Sequence, residues 1–241
     1  MGDLQTWTVT ALNLPEHARN AIHTDAGAQA AGFPKALVAG VTTYAYLAHP
    51  PAAAWGLDWV RTGGGEVRFL APVFEGDEIE CRPERGVVGA FSDRQPGPHA
   101  TFEPVPAGTY GPDAPSLRDG EALPDEVVRL TDELGPEYGL RCGDDLGLFV
   151  EAQVVHPAVW PAIGNRITHA HVVRGSWIHT RSIIRHHALA HEGDTATVRS
   201  RVVRRFQTTT GERAVLDLVI EVDGRPIASL EHEAIVALNA S

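Results

Sequence analysis

The sequence predicts an α+β protein built of two similar halves, each an antiparallel sheet laid against one apolar helix. Three observations carry that expectation. Residues 67–82 (VRFLAPVFEGDEIECR) and 184–199 (IRHHALAHEGDTATVR) share one pattern: an aliphatic residue and Arg, then Glu-Gly-Asp at the same offset, then alternation out to another Arg. Each copy reads as a strand, a tight Gly-Asp turn and a second strand. Ahead of the first copy, residues 41–49 (VTTYAYLAH) form an apolar, small-residue helical stretch. Between the copies, residues 95–115 are rich in Pro and Gly and break the chain into two parts.

In chain order, the alternating TWTVTAL of residues 6–12 predicts an opening strand, followed by the 41–49 helix and strands at 66–71, 78–82 and 100–105. PDEVVRLTDEL (124–134) has early acids and apolar spacing suited to a short connecting helix. LGLFVEAQVV (146–155) opens the second half, and strands are expected at 195–206, 214–222 and 226–238. The expected organisation is an N-terminal half over 1–110, a linker with its short helix over 111–145, and a C-terminal half over 146–241 whose own helix is shortened. Neither half alone hides both faces of its helix, so the two are expected to pair about a pseudo-twofold axis, with one continuous sheet outside and the helices inside.

Composition narrows the function. Hydrophobic residues at 43% and charged residues at 21% suit a globular chain long enough to bury a core. A formal charge of −11 argues against a nucleic-acid partner, which needs a basic footprint. No apolar run approaches the roughly 20 residues of a membrane span, and MGDLQTW lacks a signal-peptide pattern, so a cytoplasmic location away from membranes is expected. Cys81 and Cys142 lie far apart and read as two free thiols.

The chemistry concentrates in NAIHTDAGAQAAGF (20–33) and the ALVAG that follows it. This stretch resembles the hydratase signature of the MaoC-like enoyl-CoA hydratases, a branch of the hot-dog fold: Asp-x-Asn-Pro-aliphatic-His-x-Asp, an Ala-Gly-Phe stretch, then His-Gly at the start of the central helix. Asn20, Ile22, His23, Asp25, Ala31, Gly32, Phe33 and Gly40 match it. Ala21 stands where the pattern has Pro, Ala39 where it has His, and Ala18 where it has the catalytic Asp.

The resemblance implies a double hot-dog fold and a lyase that adds water to, or removes it from, an enoyl or β-hydroxyacyl thioester carried by CoA or a carrier protein, without metal or other cofactor. Such a reaction needs acid/base groups at the α- and β-carbons and hydrogen-bond donors at the thioester oxygen. His23 would act as acid/base, with Asn20 orienting water or His23. Asp25 is a third catalytic candidate, although a helix-capping role suits it as well. Gly40 and Val41, at the helix start, would hold the carbonyl oxygen. The alternative for His23 is a buried imidazole donating to a backbone carbonyl.

Seven of the twelve histidines fall within residues 156–191. A metal site there is not expected, since no acidic ligand pattern closes around them. His169 and His179 are candidates for a composite site, with NRITH (165–169) read as the counterpart of RNAIH (19–23). His186, His187 and His191 are expected to face solvent. Arg199 and Arg201, on one side of a strand, are candidates for the phosphates of CoA, or else a solvated strand edge. A homodimer is compatible with the chain. Two rival functions remain: a hot-dog thioesterase, disfavoured because VTTYAYLAH offers no carboxylate, and a non-catalytic acyl-binding subunit, favoured by Ala18 and Ala39.

Overall fold

The fold was obtained as a computed structural model that describes residues 2–111, 114–173 and 175–238. Its frame is one antiparallel sheet. The first half contributes β1 (Trp7–Thr10), β2 (Gly64–Phe69), β3 (Glu78–Glu84), β4 (Val87–Phe91) and β5 (Ala100–Val105). The second contributes β6 (Glu121–Ala122), β7 (Glu126–Arg129), β8 (Ile178–His186), β9 (Thr195–Thr208), β10 (Gly211–Val222) and β11 (Arg225–Leu238).

The strand order is β1-β3-β4-β5-β2-β8-β11-β10-β9-β6, with β7 also paired to β9. Read outward from the β2–β8 junction, the two sides repeat each other, and β7 lies on β9 as β1 lies on β3. The duplicated turns agree in detail: Phe74 N–H donates to Asp77 Oδ2 at 3.0 Å, and His191 N–H to Asp194 Oδ2 at 2.8 Å. Gly76 and Gly193 take φ of 84° and 87° there, a conformation open to glycine. Isolated bridges Leu37–Phe74 and Val154–His191 extend the match.

Inside the sheet runs α2 (Gly40–Thr62), buried from Val41 to Ala52 and bent where Gly56 takes φ 61°. A helix apolar all round can only be stable enclosed. Tyr44 packs edge-on to Phe102 at 5.2 Å, and Trp59 to the same ring at 6.2 Å. The second half's helix, α5 (Val159–His171), has 13 residues against 23 in α2. Cys81 and Cys142 are buried free thiols. A buried carboxylate ties α2 to the start of α5: Asp144 Oδ1 accepts from His49 Nδ1 at 2.6 Å and from Leu146 N–H at 2.9 Å, and Oδ2 accepts from His156 Nε2 at 3.3 Å.

Several expectations are corrected. Residues 124–134 hold no α-helix: β7 buries Val128 and exposes Val127, an alternation that pairing with β9 rewards over helical propensity. Residues 146–155 hold the short helix α4 (Leu148–Ala152) instead of a strand, closed by Gln153 at φ 52°. His169 and His171 lie on α5. The same interval separates Leu37 from Val154 and Phe74 from His191, and it aligns His169 with Ala52 inside α2, so His169 is not the counterpart of His23. His186 is buried and donates to the Trp59 carbonyl at 3.1 Å, His187 is half-buried against Ser229, and His191 alone of the three is exposed.

Candidate active site

The site begins with how residues 15–38 fold back on themselves. Two short 3-10 turns, Pro15–Arg19 and Ala21–His23, lead into α1 (Asp25–Ala30). Thr24 caps α1, its Oγ1 accepting from Gly27 N–H at 3.2 Å. The lean backbone has a steric cause: a Cβ on Gly27 would lie 2.1 Å from the Ala21 carbonyl oxygen. Leu37 N–H donates to the Ile22 carbonyl at 3.1 Å, and Ile22, Ala28, Leu37 and Phe74 close a small apolar cluster under the loop. Asp25, an exposed residue, accepts from Ala36 N–H at 2.8 Å and pins the far end. That position gives Asp25 a structural task, away from the cavity walls.

This folding aims His23. Its Nδ1 lies 2.8 Å from the Leu37 carbonyl oxygen, which can only accept, so Nδ1 carries the hydrogen and Nε2 offers a lone pair. Burial pushes the imidazole pKa down, with the Leu37 contact opposing it weakly, so the ring is neutral at neutral pH. The ring is thus anchored by a backbone carbonyl, and the same contact leaves its other nitrogen free.

His23 stands between two chambers. One, of about 340 Å³, is walled by apolar groups including Phe33, Phe69 and Ile178, and reaches Gly40 at the tip of α2. The other, of about 540 Å³, is lined by more charged side chains, among them Glu16, Glu126, Arg141 and Arg166, and touches Val41 and His169. Asn20, His23, Asn165 and Trp177 belong to both. Asn20 is buried, donates Nδ2–H to the Trp177 carbonyl at 2.9 Å, and leaves Oδ1 unpaired.

Gly40 opens α2, where the first-turn N–H groups have no acceptor within the helix. A Cβ there would meet the Phe69 ring at 3.2 Å, so glycine permits the close approach. Val41 is buried one residue further on.

The position of the expected carboxylate is empty of function. Ala18 is exposed and belongs to neither chamber wall. Its neighbours do not replace it. Glu16 is committed to Arg141 at 2.8 Å; burial alone would raise its pKa, yet the Arg141 contact leaves it lowered and ionised. Burial, helped by the neighbouring His23 imidazole, pushes His17 down to about 4.

Of the remaining sequence candidates, His179 is in the first chamber and His169, exposed, edges the second. Arg199 and Arg201 are elsewhere: they lie on β9, outside both chamber walls, and Arg199 is paired with Glu221 at 2.8 Å. Their alternation along β9 reaches the face of the sheet, not the cavity. Sequence reasoning missed Asn165, Trp177 and Tyr138, whose Oδ1, Nε1 and hydroxyl are buried without a partner. Asn165 opens the NRITH of residues 165–169, where the histidine carries the more visible signal. Among the described residues, the grouping with metal-ligand spacing is His49, Asp144 and Asp145, whose ligand atoms lie within 4.8 Å of one another. Asp144 Oδ1 there is already occupied by its two donors. No helix among the described residues is long and apolar enough to cross a membrane.

Comparison with known proteins bears on the fold and on the family of one segment. Residues 16–93 match the family model for the MaoC like domain. A MaoC domain protein dehydratase from Chloroflexus aurantiacus superposes with a TM-score of 0.68 at 12% identity, over 98% of this chain and 96% of that one. Rv0216 of Mycobacterium tuberculosis, described as having a double hot-dog fold, superposes at 0.62 with 16% identity, over 98% and 96%. A tesB protein of Mycobacterium avium subspecies paratuberculosis superposes at 0.55 with 10% identity, over 96% and 92%. No curated protein matches the chain by sequence. At these identities the superpositions establish the fold, and the match over residues 16–93 establishes the family of the segment that holds His23. Residues 16–93 thus form a MaoC-like domain, in the first half of a chain with a double hot-dog fold.

Proposed function

We propose that this protein reversibly hydrates an enoyl thioester, with His23 moving the proton. The observation that carries the reading is the anchored imidazole: Nδ1 held by the Leu37 carbonyl, Nε2 bare, in a cavity that also reaches the tip of α2. In the hydration direction Nε2 takes a proton from water as the oxygen bonds to the β-carbon. The unpaired Oδ1 of Asn20 suits the second hydrogen of that water. The double-bond electrons move onto the thioester oxygen as an enolate. Gly40 N–H and the positive end of α2 favour charge there. The imidazolium then returns its proton to the α-carbon, and the ring is neutral again. A single histidine closes the proton balance, so the cycle runs without a carboxylate at position 18.

The substrate class follows from the chemistry: an enoyl or β-hydroxyacyl group on CoA or a carrier protein. The test is turnover of crotonyl-CoA and of a longer enoyl-CoA, followed as loss of the conjugated absorbance. His23→Ala is expected to lower kcat by about 10²–10⁴-fold, the usual worth of a general acid/base. Release of free thiol instead would make the protein a thioesterase. Binding without turnover would make it an acyl-binding subunit, the reading that Ala18 favours.

A further inference from the structure

The first chamber holds a second imidazole with an unused nitrogen. The titratable side chains on its wall are His23, His99, His179 and Arg213. His99 has both nitrogens occupied, Nδ1 by the Pro72 carbonyl at 2.7 Å and Nε2 by Ser92 Oγ at 2.8 Å. Arg213 is paired with Glu233 at 2.7 Å. His179 is different: its Nε2 lies 2.9 Å from Ser182 Oγ, and its Nδ1 is buried without a partner.

The backbone is bent to put it there. Along the β8–β11 ladder Arg181 pairs with Glu233 and His179 with Ala234, which leaves Thr180 as the extra residue of a bulge. Such a bulge re-aims the side chain beside it. The His179 ring then lies 4.6 Å from Phe69, the ring that a Cβ on Gly40 would touch. His179 and the tip of α2 therefore flank the same aromatic side chain on the same wall.

Behind His179 is a relay. Ser182 Oγ also lies 2.9 Å from Nδ1 of His232, and the two rings lie 4.1 Å apart, tilted by 31°. Nε2 of His232 has no partner. Burial pushes both imidazoles down, His232 to about 3, so both are neutral. One hydroxyl between two neutral rings can point only two ways. If it donates to His232, then His179 gives it the Nε2 hydrogen and keeps a bare Nδ1, while His232 buries an N–H with nothing to receive it. If it donates to His179, then His232 supplies the Nδ1 hydrogen, and His179, a residue of the chamber wall, carries its own hydrogen on Nδ1. Without a ligand each arrangement buries one N–H and one lone pair unpaired, so an acceptor oxygen at His179 selects the second.

We propose that His179 is a second hydrogen-bond donor to the thioester oxygen, a neutral imidazole whose tautomer is set by Ser182 and His232. This rests on the hydration reading above and adds to it the group that shares the enolate charge with Gly40 N–H. No proton leaves His179 in the reaction. His179 is the catalytic residue; Ser182 and His232 are positioning residues. The Ser182 hydroxyl turns toward His179 when an acceptor oxygen enters the chamber.

The test combines kinetics on crotonyl-CoA with long-range proton–nitrogen correlation spectra of the histidine rings, using the full chain. His179→Gln is expected to lower kcat by about 10²–10³-fold with little change in KM, as for loss of one oxyanion donor. Ser182→Ala, and His232→Asn as the variant that keeps a partner for Ser182, are expected to lower kcat by about 10-fold. The His179→Gln/Ser182→Ala double variant should be no slower than His179→Gln, because both act through one nitrogen. With unreactive butyryl-CoA bound, Nδ1 of His179 should give the signal of a hydrogen-bearing nitrogen, and Ser182→Ala should weaken it.

Additive losses, or wild-type kcat in both Ser182→Ala and His232→Asn, would overturn the proposal while leaving hydration by His23 standing. A wild-type protein that binds butyryl-CoA with that signal but hydrates nothing would sink the hydration reading and keep the donor. A bare Nδ1 in the complex, or no binding of butyryl-CoA, would remove the donor itself.

Discussion

Asn20 and Trp177 join the two lobes: the amide of one donates to the carbonyl of the other at 2.9 Å across 157 residues of chain. The same contact fixes which way Asn20 points, and so places its unpaired Oδ1 between the two chambers. Asn20→Ala should leave the buried Trp177 carbonyl without that donor and cost about 1–3 kcal/mol. It should also lower kcat more than it raises KM. Urea unfolding followed by intrinsic fluorescence, beside steady-state kinetics on crotonyl-CoA, checks both. Full activity in a destabilised variant would confine Asn20 to holding the lobes together.

Restoring the family's carboxylate should fail. Ala18 is an exposed residue of the Pro15–Arg19 turn, outside both chamber walls, so a side chain there points to water. Ala18→Asp is expected to change kcat by less than about 3-fold, because an exposed carboxylate far from the reacting atoms is screened. A large gain would mean that the turn swings inward when substrate binds.

Gly27 is where the His23 loop has least tolerance. The Cβ of Gly27→Ala would overlap the Ala21 carbonyl, so α1 must move away from the turn that carries His23. The expected result is a loss of about 1–3 kcal/mol, as for overpacking elsewhere, with reduced kcat. Thermal unfolding and crotonyl-CoA turnover measure the two effects. Unchanged stability would show that the loop yields more easily than its contacts suggest.

Asp144 makes stability depend on pH. Burial alone would raise its pKa, but the hydrogen bonds and charges of His156 and His49 outweigh that and hold the carboxyl well below the usual carboxylate range. A depressed folded-state pKa means that unfolding takes up a proton. The stabilisation is complete above the ordinary carboxylate pKa and is lost as pH falls through that range toward the folded value. Asp144→Asn should cost about 3 kcal/mol at pH 7, since it strands buried imidazoles. The loss should shrink at about pH 2.5, below the ordinary carboxylate pKa, as measured by urea unfolding at both pH values. Equal losses at both would show that the carboxylate's charge is not what matters.

How much of this was legible in the sequence depends on whether the signal was local. The duplicated Glu-Gly-Asp turns, the strands at β9, β10 and β11, and the buried helix at α2 were readable, because turn geometry and apolar periodicity act over a few residues. His23, Asn20 and Gly40 were readable as a motif, and they do meet at one cavity. The β7 strand was not, because EVVR takes its conformation from an edge of β9 about 70 residues further along the chain. Nor was the burial of His186, which depends on Trp59 from the other half.

Sequence alone thus determined the family motif, the doubling and the enclosed helix, since each is written in short-range pattern and in the balance of apolar residues. Tertiary structure alone decided which atoms remain unpaired, namely Nε2 of His23, Nδ1 of His179 and Oδ1 of Asn20, and that Ala18 is exposed. A polar atom's partner is fixed by what packs against it. Here those partners come from both lobes, brought together only when the sheet closes around its helices.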